Sequence, residues 1–133
     1  MFSHIMLGAN ELPLMIRFYD AVLAPVGITQ RPFADEGGPA GAGWTKPGAR
    51  LPEFFIQGPY NRQTATAGNG VMVAFLSPDK KSVDAAHAAG LKHGGTDEGP
   101  PGPRPQYGEG YYGAYLRDPE GNKIHIAFRG DVT

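Results

Sequence analysis

The sequence predicts an α+β fold made of two similar halves, on three observations. The first is an internal repeat: an alternating strand, an amphipathic helix, a Gly/Pro-rich stretch and a closing strand occur twice in that order. His4 stands seven residues before Glu11, and Met72 seven before Asp79. The second is that neither half can bury both faces of its own sheet, so two βαβ-type modules must share one domain. The third is the placement of the 20 glycines and 13 prolines. Seven of the thirteen positions from Gly37 to Ala49, and eight of the twelve from Gly99 to Gly110, are Gly or Pro. This clustering points to two long loops on a compact scaffold, not to a disordered chain.

The elements follow in order. In Phe2 to Ala9, Ile5 and Leu7 share one strand face, His4 and Met6 the other. Asn10 suits an N-cap and Pro13 a first helical turn, after which Met15, Phe18, Tyr19 and Val22 fall at helical spacing to about Leu23. Pro52 to Gln57 is a strand with Phe54 and Ile56 on one face and Glu53, Phe55 and Gln57 on the other. In the second half, Val71 to Leu76 puts Val73 and Phe75 on one face and Met72 and Ala74 on the other. Ser77-Pro78 then starts a helix whose stripe is Val83, Ala86 and Ala89, with Gly90 as its C′ residue. His87 and His93 are expected at the surface. A hairpin ends the chain: Tyr111 to Leu116, the turn Asp118-Pro119-Glu120-Gly121-Asn122, then Lys123 to Phe128. Each helix is expected on the more apolar strand face, leaving His4, Met72, His125 and one of Glu53, Phe55 or Gln57 on a shared concave surface.

Composition narrows the function classes. With 133 residues the chain suits a single domain, with modules of about 1–62 and 68–133. A net charge of -1 offers no field for nucleic acid or anionic lipid, and no apolar run reaches the length of a membrane span. No signal peptide is visible, so a cytoplasmic protein is expected. The absence of cysteine excludes disulfides, thiolate metal sites and cysteine nucleophiles. There is no nucleophile elbow, zinc helix or phosphate-cradling glycine fingerprint either.

The opening His4-Ile-Met-Leu, the stretch Arg17-Phe-Tyr-Asp-Ala-Val-Leu and the segment Gly70-Val-Met-Val-Ala-Phe resemble the vicinal oxygen chelate superfamily. That superfamily comprises glyoxalase I, the bleomycin- and fosfomycin-resistance proteins and extradiol dioxygenases. The most specific piece is Tyr112-Gly-Ala-Tyr-Leu-Arg-Asp-Pro-Glu-Gly-Asn-Lys-Ile-His. The resemblance implies two βαβββ modules with mixed sheets curled into a glyoxalase-like cup, commonly in a homodimer. It also implies a divalent metal on the cup floor, held by His, His and Glu from three strands. His4 matches the first position, Met72 stands where the second His is expected, and His125 where the closing Glu is expected. Glu53 or Gln57 matches an optional fourth. A thioether is a soft donor, so Met72 removes a ligand for hard ions. The remaining metal candidates are His4 and His125 with Glu53, a set suited to Zn, Fe or Ni if any ion is held at all.

Two readings of function follow. In the first, a metal acts as Lewis acid for a lyase, isomerase or dioxygenase reaction on a small molecule, with Glu53 as catalytic carboxylate. In the second, a metal-free cup sequesters an aromatic or hydrophobic compound, as in the bleomycin-resistance proteins. A third and weaker reading is a degenerate member that works through a partner protein. Substrate-binding candidates are Met72, Phe55, Tyr111, Tyr115, Arg117 and Trp44, with Arg104 as a further site for an anionic group. Tyrosines and tryptophan on Gly/Pro loops give a cup mouth apolar walls with polar tips. The Gly99 to Gly110 loop is expected to be the substrate-contacting lid.

Overall fold

The computed structural model describes residues 1–34 and 36–132. The first module runs β1 (His4–Gly8), α1 (Leu12–Leu23), β2 (Thr29–Arg31), β3 (Gly41–Thr45) and β4 (Glu53–Gln57). The second repeats it as β5 (Met72–Leu76), α2 (Lys80–Lys92), β6 (Thr96–Pro103), β7 (Tyr111–Arg117) and β8 (Lys123–Arg129). Sheet A has the order β1-β4-β3-β2 and sheet B the order β5-β8-β7-β6. In each, the first and last strands of the module pair in parallel and the remaining pairs are antiparallel. These are the expected βαβββ modules, but among the described residues no ladder joins the two sheets, and β1 and β5 are both edge strands.

Both Gly/Pro-rich stretches hold strands where loops were expected. Gly41–Thr45 is an inner strand of sheet A, and Thr96–Pro103 is the edge strand of sheet B. An edge strand tolerates Pro100, Pro101 and Pro103, since half of its N–H groups have no ladder partner to lose. Its pairing with β7 carries register shifts between Asp97 and Gly102. In β3 the glycines make room for aromatic rings lying across the sheet. A Cβ on Gly43 would sit 2.7 Å from the Phe55 ring, and one on Gly41 2.9 Å from Phe33.

One core serves both modules. Met15, Phe18, Tyr19, Val22 and Leu23 form the buried stripe of α1, as the helical spacing predicts. Phe54 of sheet A meets Phe75 of sheet B edge-on at 5.0 Å, and Tyr19 packs on Phe54 at 5.0 Å. Gly90 does not end α2; it is buried within it, where a Cβ would come 2.7 Å from Leu116. The left-handed residue after the helix is Gly94, at φ +93°. Asp79, not Ser77, caps α2, its carboxylate accepting the Ser82 N–H at 2.7 Å. His87 is buried rather than exposed and pairs with Asp97 at 2.9 Å, tying α2 to β6.

The turn between β7 and β8 fastens the modules together. Asp118 is 3% exposed and accepts the Tyr19 hydroxyl at 2.7 Å, the Asn122 amide side chain at 2.8 Å, and the backbone N–H groups of Glu120 and Asn122. Burial first, then the neighbouring Asp118 carboxylate, push the Tyr19 pKa well up, so its hydroxyl stays a donor. Glu120 reaches back to accept the N–H groups of Asn10 and Glu11 ahead of α1, at 2.8 Å each. Asn10 is therefore not the N-cap, which is Glu11. The Asn10 side chain instead bonds both the N–H and the carbonyl of Ala65.

Candidate functional site

The candidate residues fall on two surfaces, because the strand alternation sends them to the outer faces of two separate sheets. On sheet A, register aligns His4 with Glu53 and Met6 with Phe55, and Phe55 in turn with Gly43. All three of Glu53, Phe55 and Gln57 face this side, and Phe55 occupies its centre. Beside the sheet lies a groove of about 1000 Å³, lined among others by His4, Met6, Arg31, Phe33, Phe55 and Gln57. Phe33 and His4 meet the Phe55 ring edge-on at 5.8 and 5.6 Å.

Glu53, the expected catalytic carboxylate, is ion-paired to Arg31, which β2 brings across from the far edge of the sheet. The pairing spends its charge on a neighbour. Arg31 and Phe33 escaped the sequence reading, because nothing local announces that β2 pairs beside β3 and sets Arg31 within reach of Glu53.

On sheet B the outer face carries Met72, Tyr111, Tyr115, Arg117 and His125. His125 is 2% exposed and its ring stacks on Tyr115 at 4.0 Å, with Tyr111 nearly parallel at 5.9 Å. Its Nδ1 lies 2.8 Å from the Ala114 carbonyl, which only accepts, so Nδ1 carries the proton. Nε2 then accepts the Tyr111 hydroxyl at 2.8 Å. Gly113 makes this possible, since a Cβ there would stand 2.5 Å from the His125 ring. Arg117 is tied to Glu98 at 2.7 Å and to the Gly121 carbonyl. Trp44 lies at no cup mouth: it is fully buried in the core and donates to Asp20 at 2.9 Å.

These donors do not fit a metal ion within one chain. Among the described residues, no group of three or more His, Asp or Glu side chains is placed to hold one. His4 lies on sheet A with Nδ1 3.0 Å from the Ser3 hydroxyl, Glu53 is engaged by Arg31, and both nitrogens of His125 are bonded on the other sheet. Met72 is half-exposed on β5.

Burial lowers the His125 pKa below the ordinary histidine value; the Ala114 carbonyl opposes this, and the Arg104 and Lys123 charges reinforce it. The unfolded chain therefore takes up the proton first. Stability is expected to be complete above about pH 7 and to fall as pH drops through about 6.5. Urea midpoints measured along this range should show that slope, and His125→Gln should flatten it. A slope unchanged by the substitution would assign the effect to another group.

Comparison with known proteins agrees with this architecture. Solved structures similar to the chain include a glyoxalase/bleomycin resistance protein from Albidiferax ferrireducens T118, 42% identical over 97% of this chain and 98% of that one, with a TM-score of 0.82. A glyoxalase-related enzyme from Fulvimarina pelagi is 18% identical over 97% and 88%, at TM-score 0.71. Lactoylglutathione lyase from Agrobacterium tumefaciens is 20% identical over 96% and 92%, at 0.63. The last two show the fold alone. No curated protein matches the chain. Among the described residues, no helix is long and apolar enough to cross a membrane. The family model that matches residues 1–126 completes the assignment: the chain belongs to the Glyoxalase/Bleomycin resistance protein/Dioxygenase superfamily.

Proposed function

We propose that this chain binds a small, flat, largely apolar molecule in the sheet A groove, without a resident metal ion, in the manner of a sequestering protein. The observation that carries this reading is the groove itself. Its floor is the Phe55 ring, laid flat by Gly43, its wall is Phe33, and the Arg31 guanidinium that lines it is ion-paired to Glu53, while Glu36 also lines it. Such a space offers broad aromatic contact, which suits a planar guest. The metal-assisted lyase or dioxygenase reading needs a convergent donor set, and the donors named above are spent elsewhere. The homodimer remains part of the proposal. Val71, Met72 and Leu76 are each about half exposed on or beside the edge strand β5, a stripe suited to a second copy.

Methionine-methyl NMR tests the reading, because Met6 lines the groove while Met15 is fully buried in the core and serves as an internal control. Titration with neutral 1-naphthamide is expected to shift the Met6 methyl and leave Met15 in place. Phe55→Ala should weaken that binding about tenfold, through loss of one aromatic contact. Adding Zn²⁺ or a chelator should leave it unchanged. No shift at Met6, or binding that requires Zn²⁺, would overturn the proposal.

A further inference from the structure

We propose that the outer face of sheet B recognises the anionic end of a planar aromatic ligand, an aryl carboxylate, through Arg104 and Lys123 beside the Tyr111–His125–Tyr115 stack. This site lies on the other sheet from the groove, so it goes beyond the groove reading and assigns sheet B a ligand class of its own.

The charge arrangement comes first. Arg104 and Lys123 lie over the Tyr115 ring, 5.8 and 5.2 Å from its centroid. Among the described residues, neither has a carboxylate within ion-pair distance, whereas Arg31 and Arg117 both do. Arg104 spends two N–H donors on the carbonyls of Pro100, at 2.8 Å, and Pro103, at 3.2 Å. Those bonds hold the guanidinium in place without neutralising it, and three of its five donors remain. A chain with net charge -1 thus keeps two cations together on one face without a matching acid.

The surroundings say what kind of anion fits. Tyr107 meets Tyr111 edge-on at 5.4 Å, and Tyr115 lies under both cations, so three phenol rings frame them. His125 is fixed on both nitrogens and serves here as a positioning residue: it holds Tyr111 by its hydroxyl and Tyr115 by its ring. The backbone N–H groups of β7 are engaged in ladders on both sides, so no nest of amides is offered to a phosphate. What remains is a fork of guanidinium donors, an ammonium and aromatic faces. That combination suits a carboxylate carried on a flat ring.

The test uses an isosteric pair, 1-naphthoate and 1-naphthamide, which share the ring and differ in charge. The wild-type protein is expected to bind the naphthoate about tenfold more tightly at low salt, with shifts of the His125 and Tyr115 ring resonances. In the Arg104→Gln/Lys123→Gln variant that preference should vanish, with the Met15 methyl confirming an intact fold. Equal affinity of the wild type for both probes, a preference that survives in the double variant, or naphthoate shifts confined to Met6 would each overturn the proposal. Should naphthamide fail to shift Met6 while naphthoate shifts the sheet B resonances, the groove reading falls and this one stands. Silence from both probes sinks both.

Discussion

Asp118→Ala is expected to lower the unfolding free energy by about 3 kcal/mol, a fall of roughly 10 °C in Tm for a chain of this size. The carboxylate collects four donors in a site 3% exposed, among them the hydroxyl of Tyr19, whose own side chain is fully buried. Removing it strands that hydroxyl and the Asn122 amide away from water. The loss also reaches across the molecule, since Tyr19 belongs to α1 and Asp118 to the turn of the other module. Tyr19→Phe in the Asp118→Ala background should recover about 1 kcal/mol, because it deletes the orphaned donor while keeping the ring packed on Phe54. Denaturant curves on the four proteins of this cycle provide the measurement. Additive effects would mean that the two residues do not act through their mutual hydrogen bond.

Gly113→Ala should cost about 2–3 kcal/mol by overpacking and by the hydrogen bonds it breaks. The new methyl would stand 2.5 Å from Cε1 and 3.1 Å from Nε2 of His125, and 3.2 Å from the Ile126 carbonyl. The ring has little room to yield, stacked on Tyr115 and bonded at both nitrogens. Displacing it frees the Tyr111 hydroxyl and disturbs the face on which Arg104 and Lys123 lie. In a His125→Ala background the same Gly113→Ala change should cost about 1 kcal/mol or less, because the ring atoms are gone and only the 3.2 Å approach to the Ile126 carbonyl remains. A full penalty in that background would place the strain in the backbone instead. Naphthoate binding to Gly113→Ala should weaken in parallel with the loss of His125–Tyr111 order, read from the His125 ring resonance.

Much of the fold was legible locally. Alternation in His4–Gly8 and Met72–Leu76 and the 3.6-residue spacing in α1 depend only on neighbouring residues, and each reappears with the face expected. The Gly/Pro-rich strands were not legible, since composition reports low intrinsic preference while the partner strand decides whether pairing occurs. Gly43 read as part of a loop, and Gly113 as an unremarked position of the strand Tyr111 to Leu116. They are the positions where Phe55 and His125 lie down on their sheets. Gly90 read as a helix end, yet it is the close contact that lets α2 approach β7 and α1. The diagnostic turn 118–122 was recognised as a signature without its cause, which is to bind Tyr19 and the start of α1 from more than ninety residues away.

The same division holds for the site. By itself the sequence determined the βαβ repeat and the list of chemically capable side chains, because periodicity and residue type are local properties; the resemblance to the superfamily implied the full βαβββ modules. Only the tertiary structure decided which of those side chains remain available. Arg31 closes on Glu53, Tyr111 and Ala114 occupy both nitrogens of His125, and Trp44 is withdrawn into the core. Each of these pairings depends on strand register and on which strand lies beside which. A donor's chemistry is written in its residue type, but its availability is settled by the neighbour that reaches it first.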